Sequence, residues 1–287
     1  MSANARGVRD TSLSIREARF VWGERTYLMG IVNATPDSFS GDGRPRSDDA
    51  IEYALAQRLA GADILDIGAE STRPGHEAIS AQEERRRLLP VVRGVREREP
   101  GAAISIDTFK ADVFRDAHAA GGDMLNSIWG LDEVLLAVAL ECDVPVVAMH
   151  NKREAVYQRD VVDEVLAYLD DQGRRAVKAG LRPERVILDP GIGFGKGPEH
   201  NLALLGALPR IVALGFPTMI GASRKSTIGK LTGKSVEGRV FGTAAAIALA
   251  VAASVDIVRI HDVAEMRDVV AVADAIERGW RPADWLA

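Results

Sequence analysis

The chain holds a single cysteine, Cys142, among its 287 residues. One thiol cannot build a disulfide framework, so the fold rests on packing and a reducing compartment is expected. Within its apolar run, Cys142 reads as a small buried hydrophobe rather than a nucleophile. A basic excess is also missing: 36 Lys and Arg stand against 41 Asp and Glu, for a formal net charge of −5. That excludes nucleic acid as a general partner, because a row of phosphates needs cations to neutralise it. Long hydrophobic runs are absent too. The longest uncharged stretch, residues 240–255, is rich in alanine and too short to cross a bilayer. It reads as a buried or subunit-facing helix. The opening residues MSANARGVRDTS lack the apolar segment of a secretory signal. A cytoplasmic protein without a membrane partner is therefore expected. No HExxH, paired cysteines or dense histidine cluster points to tightly held zinc.

What the chain does contain is alternation. Short runs rich in Val, Ile and Leu recur at 27–33, 63–68, 103–107, 123–127, 144–150, 185–189, 217–221 and 256–261. They resemble strands buried on both faces, as in a parallel sheet. Amphipathic segments separate them, around 47–61, 80–98, 110–120, 131–141, 159–180, 199–209, 236–253 and 264–278. In the first of these, Ile51, Leu55 and Leu59 mark the apolar stripe. Eight strands alternating with eight helices predict an α/β protein, a (β/α)8 barrel, with a doubly wound open sheet as the rival. Residues 12–28 alternate apolar and polar around Gly23–Glu24. That predicts an N-terminal hairpin closing the barrel bottom. Residues 1–11 are expected to be a flexible N-terminus and 12–287 one barrel domain. Three helix exits, AGAD (60–63), AGGD (120–123) and ASVD (253–256), share a small-residue turn and an Asp opening the next strand.

Nearly every strand ends in, or leads into, a polar residue: Asn33, Asp66, Asp107, Asn126, His150, Asp189, the run Ser223–Arg224–Lys225, and Arg259 with His261. In a barrel these gather at the C-terminal mouth, where substrates bind. A lone Asp or Asn at a strand end is as often a turn or cap residue, but eight in register outweigh that reading. Loop 33–44 follows the first strand with Pro36, Gly41 and Gly43, and loop 68–77 follows the second with Pro74 and Gly75; both suit mobile lids. Loop 189–197 carries four glycines that let backbone approach a ligand, and it matches neither a dinucleotide fingerprint nor a P-loop. Arg73, Lys225, Arg259 and His261 suit an anion such as a phosphate or diphosphate. Asp107, Asn126 and Asp189 suit a flat polar heterocycle. Asn33, with a ligand's oxygens, is the candidate for loosely held Mg²⁺.

The segments MGIVNATPDSFS (29–40), DIGAESTRPG (66–75), SIDTFK (105–110), LNSIWG (125–130), AMH (148–150), LDPGIGFGK (188–196), GASRKSTIG (221–229) and VRIHDV (258–263) together resemble the dihydropteroate synthase family, in that family's order. The resemblance implies a pterin-binding (β/α)8 barrel, a transferase joining hydroxymethyl-dihydropterin diphosphate to p-aminobenzoate with loss of pyrophosphate, Mg²⁺ as cofactor and a homodimer. It implies that Asp107, Asn126, Met149, Asp189, Gly193, Phe194 and Lys225 hold the pterin, and that Asn33, Thr72, Arg73, Arg259 and His261 hold the diphosphate, Asn33 through the metal. Phe39, Thr72, Arg73, Pro74, Phe194, Arg224, Lys225 and Ser226 would frame the aminobenzoate. Asp66 and Asp107 would lie under the reacting carbon, with Lys225 and Arg73 also catalytic. Three features depart from the family's habit: NKREAVYQRD after His150, SFSGDGR in the first loop, and Ala34. A non-catalytic pterin-binding paralogue is one alternative. A methyltetrahydrofolate methyltransferase is another, and Arg73, the 223–226 stretch and the 259–261 triplet argue against it.

Overall fold

The computed structural model describes residues 12–35, 46–70, 78–282 and 285. The chain runs β1 (Ser12–Ile15), β2 (Ala18–Val21), β3 (Tyr27–Asn33), α1 (Arg46–Ala60), β4 (Ile64–Gly68), α2 (Ala81–Arg98), β5 (Ala103–Asp107), α3 (Ala111–Ala119), β6 (Met124–Ser127) and α4 (Glu133–Glu141). It continues through β7 (Val146–Met149), α5 (Val161–Ala179), β8 (Val186–Asp189), α6 (Pro198–Gly206), α7 (Leu208–Val212), β9 (Met219–Ile220), α8 (Ser226–Thr232), α9 (Val240–Ala252), β10 (Ile257–Ile260) and α10 (Val263–Glu277). Strands β3 to β10 pair in parallel in the order β8-β7-β6-β5-β4-β3-β10-β9. A parallel bridge between Leu188 and Thr218 joins the two ends of that order. The ring closes, so the barrel expectation holds and the open sheet falls away.

Two apolar layers hold the ring. Outside it, strand residues such as Leu65, Ile104 and Val258 pack against helix residues such as Val91, Phe114 and Ile247, all fully buried. Inside the N-terminal end, every barrel strand contributes: Tyr27 and Met29 from β3, then Ile64, Ala103, Met124, Val147, Ile187, Met219 and Ile257. The β1–β2 hairpin covers this layer with Leu13, Ile15, Phe20 and Trp22. Phe20, Trp22 and Tyr27 meet at ring-centroid distances of 4.9–5.8 Å. The hairpin plugs the bottom and leaves the other mouth for chemistry.

Local details differ from the sequence reading. The hairpin turns at Arg16–Glu17, with Arg16 left-handed at φ 54°; the turn at Gly23–Glu24 instead carries β2 into β3. Leu59 is 88% exposed. Each four-residue step advances about 40° around a helix, so the stripe begun at Ile51 leaves the core by Leu59, and Ala50, Ala54 and Gln57 take its place. The segment 199–209 breaks into α6 and α7, where Pro209 lacks the N–H a continuous helix needs. Residues 1–11, most of loop 33–44 (36–45) and most of loop 68–77 (71–77) lie outside the described residues, as do the expectations placed on them.

The three similar helix exits share one bond pattern. Asp63 accepts from the Leu28 N–H, Asp123 from the Ile104 N–H and Asp256 from the Thr218 N–H, at 2.8–3.0 Å. In each case a carboxylate opening one strand holds the backbone of a neighbouring strand. Asp256 also accepts from the Gly23 N–H at 3.1 Å, tying the hairpin exit to the barrel. Asp256→Ala leaves both donors without their acceptor and should cost about 3 kcal/mol of stability. Urea unfolding measures this; an unchanged midpoint would show these bonds to be dispensable.

Candidate active site

The strand register brings the predicted polar residues to one mouth. Gly68 pairs with both Asn33 and Asp107, Asp107 with Asn126, and Met149 with Asp189. Asp66 lies two residues before Gly68 and therefore faces the same way. Asn126, Met149, Asp189, Phe194, Lys225 and Arg259 line one pocket enclosing about 320 Å³, its solvent mouth included.

Arg259 organises this mouth. Its Nε donates to Asp66 Oδ2 at 2.6 Å and its Nη2 to Asp107 Oδ2 at 2.8 Å. Asn126 Nδ2 donates to both oxygens of Asp66, at 3.2 and 3.1 Å. Asp66 is fully buried and Asn126 nearly so. Burial alone would lower the Arg259 pKa, but Asp66 and Asp107 hold it above its ordinary value. Burial pushes the Asp107 carboxyl up, Arg259 opposes that, and the nearby charges of Asp66 and Glu84 add to it.

Asp189 ends β8 and accepts the Gly191 N–H at 2.7 Å. Burial raises its carboxyl to about 6, against the pull of that N–H and of Lys225, Arg259 and Lys196. Phe194 lies beneath the Lys225 ammonium, which sits 4.1 Å from the ring centroid; a cation over an aromatic face fixes both side chains. Gly193 turns its N–H to Asn201 Oδ1 at 2.8 Å and lies beside Lys225 rather than on the pocket wall.

On the Arg259 side, the His261 N–H donates to Ser223 Oγ at 3.2 Å, and its Nδ1 lies 3.0 Å from the same oxygen. Burial, with Arg259 and Arg224 nearby, lowers His261 to about 4. At neutral pH this ring is an uncharged hydrogen-bonding group. Asn33 is half-buried at the end of β3.

Arg224 is not on the pocket wall. Held left-handed at φ 56°, it turns both guanidinium arms onto Asp262, with the Nε contact at 2.9 Å. Ser226 is exposed at the start of α8. Phe39, Thr72, Arg73 and Pro74 lie outside the described residues. The wall also contains Ile128, Ile192, Met219 and Gly221, which the sequence reading did not single out. Polar strand ends were the signal used there, and these four carry none. Ile192 and Phe194, two apart in the glycine loop, were the available hint.

A dedicated metal cage is not built here: among the described residues no group of three or more His, Cys, Asp and Glu could hold an ion. Nor is any single helix among them long and apolar enough to cross a membrane.

Comparison with known proteins agrees with this geometry. Residues 29–261 match the family of pterin binding enzymes. A dihydropteroate synthase of Synechocystis sp. is 43% identical to this chain, over 94% of it and 95% of the relative. The solved dihydropteroate synthase of Xanthomonas albilineans with 4-aminobenzoic acid matches with a TM-score of 0.86 at 41% identity, covering 91% of this chain and 95% of that one. That of Thermus thermophilus in complex with 6HMPPP matches with a TM-score of 0.81 at 44% identity, covering 93% and 100%. From its mouth residues to its full-length likeness, the chain belongs to the pterin binding enzymes and, among them, to the dihydropteroate synthase family.

Proposed function

We infer that this chain condenses 6-hydroxymethyl-7,8-dihydropterin diphosphate with p-aminobenzoate, giving 7,8-dihydropteroate and pyrophosphate. The observation that carries the reading is the single pocket where Asn126, Asp189, Lys225 and Arg259 meet Met149 and Phe194. Asp189 accepts N–H groups of the aminopyrimidinone edge, and Asn126 and Lys225 serve the remaining ring positions. Met149 and Phe194 supply apolar faces for the ring. The carbon–oxygen bond to the diphosphate breaks, the aniline nitrogen bonds to the pterin methylene, and that nitrogen sheds a proton. Asp66 and Asp107 stabilise positive charge on the methylene as pyrophosphate leaves. Arg259 spans these carboxylates, and a move toward the diphosphate would expose them to the methylene while neutralising the leaving group. His261 adds a neutral donor, and Thr72 and Arg73 further donors, to the anion.

Asn33 offers one amide oxygen, a donor set that suits Mg²⁺ only when phosphate oxygens and water complete the shell. When bound with the diphosphate, the ion neutralises leaving-group charge. Phe39, Pro74, Phe194 and Ser226 frame the aminobenzoate; Arg224, committed to Asp262, acts there by holding the 223–226 turn.

A homodimer is supported by the outer faces of α9 and α10, where Phe241, Leu249, Val272 and Ile276 are 88, 68, 63 and 75% exposed; exposed apolar patches of this kind mark interfaces. Light scattering tests it, with F241D expected to yield a monomer. The lone cysteine supports a reducing, cytoplasmic setting.

The deciding experiment measures pyrophosphate release from the pterin diphosphate with and without p-aminobenzoate. Release that depends on p-aminobenzoate and yields dihydropteroate supports synthase activity. Pterin binding without turnover would instead indicate a paralogue. The Asp189 carboxyl adds a pH signature, because the pterin N–H groups need its ionised form. Affinity for 6-hydroxymethylpterin should be high at pH 7 and fall as pH drops through 6, by about tenfold at pH 5. Calorimetry at the two pH values checks it; a flat profile would remove Asp189 from the ring site.

A further inference from the structure

Behind the pocket wall lies a cation that the reaction does not use. Lys196 is 9% exposed; its Nζ lies 2.9 Å from His150 Nδ1 and donates to the His150 carbonyl at 3.1 Å and to the Phe194 carbonyl at 2.9 Å. The Nζ thus has three hydrogen-bonding neighbours, and none of them is a carboxylate. Burial pushes Lys196 down to about 7, so keeping a lysine there is costly. An apolar residue would fill the same space without that cost. What the lysine adds is three directed bonds, two of them to backbone carbonyls.

Those bonds join two segments that both line the pocket. His150 directly follows Met149, and the glycine loop 190–197 supplies Ile192 and Phe194 to the wall. The loop lies flat on the backbone after β7. Gly191 has φ 70°, and a Cβ there would stand 2.0 Å from the His150 carbonyl oxygen; Gly195 has φ 57°, and its Cβ would stand 2.2 Å from that of Lys152. Only glycine fits at either place. The segment after His150, where the sequence departs from family habit, adds a second fastener. The Tyr157 hydroxyl donates to the Gly195 carbonyl at 2.9 Å, while its ring packs on His150 and His200.

We propose that Lys196, assisted by Tyr157, is a positioning residue that fixes the glycine loop as one wall of the pterin pocket without touching substrate. The proposal rests on the pterin reading of that pocket. Losing Lys196 frees the Phe194 carbonyl and lets Phe194 and Ile192 drift, while the Arg259 and His261 side of the mouth keeps its own bonds.

The test is calorimetry on the full chain with two probes, 6-hydroxymethylpterin and inorganic pyrophosphate, for the unaltered protein, K196M and Y157F. K196M should weaken pterin binding by about tenfold and Y157F by about threefold, as expected for lost buried hydrogen bonds. Pyrophosphate binding should stay within about twofold in both. Unchanged pterin affinity in both variants would overturn the proposal. If K196M loses both probes together with its melting temperature, Y157F decides: a selective pterin loss supports the clamp, and no loss or a parallel loss overturns it. An unaltered protein that binds no pterin would overturn the pocket reading itself, and this inference with it.

Discussion

Arg259→Met is expected to cost about 3–5 kcal/mol of stability, because it strips the shared counter-charge from two buried carboxylates. Asp66 is fully buried and Asp107 is 11% exposed by side chain, and both lean on the one guanidinium. The loss should also depend on pH in a definite direction. Burial already raises the Asp107 carboxyl and Arg259 opposes that rise, so without Arg259 it titrates still higher in the folded chain than in the unfolded one. Through mildly acid pH the native state then binds more protons than the unfolded state, so stability falls as pH rises. R259M should therefore lose less at pH 5.5 than at pH 8, measured by urea unfolding at both. Equal losses at the two values, or none, would mean that the carboxylates find compensation elsewhere. Pyrophosphate affinity should collapse in the same variant while pterin affinity falls less, since Asp189 and Lys225 still line the pocket around the ring.

The second large effect is expected at Asp189, and there binding and stability should part company. Asp189→Asn keeps the shape and can still accept the Gly191 N–H, but it faces the pterin edge with a donor where an acceptor is needed. Affinity for 6-hydroxymethylpterin should fall by about 2–3 kcal/mol, roughly 30- to 150-fold. Stability should hold or rise, because burial already raises this carboxyl to about 6 and a neutral amide escapes the cost of a buried charge. A binding residue that destabilises the empty site is a familiar trade. Calorimetry and thermal unfolding of the same preparation separate the two. A variant with lower stability and intact pterin affinity would assign Asp189 a structural role.

Strand-by-strand information proved local and readable. β3 to β10 all lie within the apolar runs, because strands buried on both faces must be apolar throughout. The polar residues that end them face one mouth, because parallel strands all deliver their C-terminal ends to the same side. Asn126, Asp189 and Lys225 needed nothing more than that to be singled out, and the similar AGAD, AGGD and ASVD turns announced carboxylates that only their bonds explain. Other features depended on closure. Arg259 meets Asp66 and Asp107 across 193 and 152 residues of chain, a contact set by the stagger of the ring and invisible in any window of sequence. The turn of Arg224 onto Asp262 followed from a left-handed backbone and a neighbour 38 residues away. Lys196 stood out from the glycine loop by nothing local, yet the fold buries it against His150, 46 residues earlier. The sequence by itself determined which residues face the mouth, since side-chain alternation along a strand is a local property. Which of them pair there, which turn away and which brace the wall from behind was decided only by the closed barrel, since those contacts depend on how eight strands are staggered around one axis.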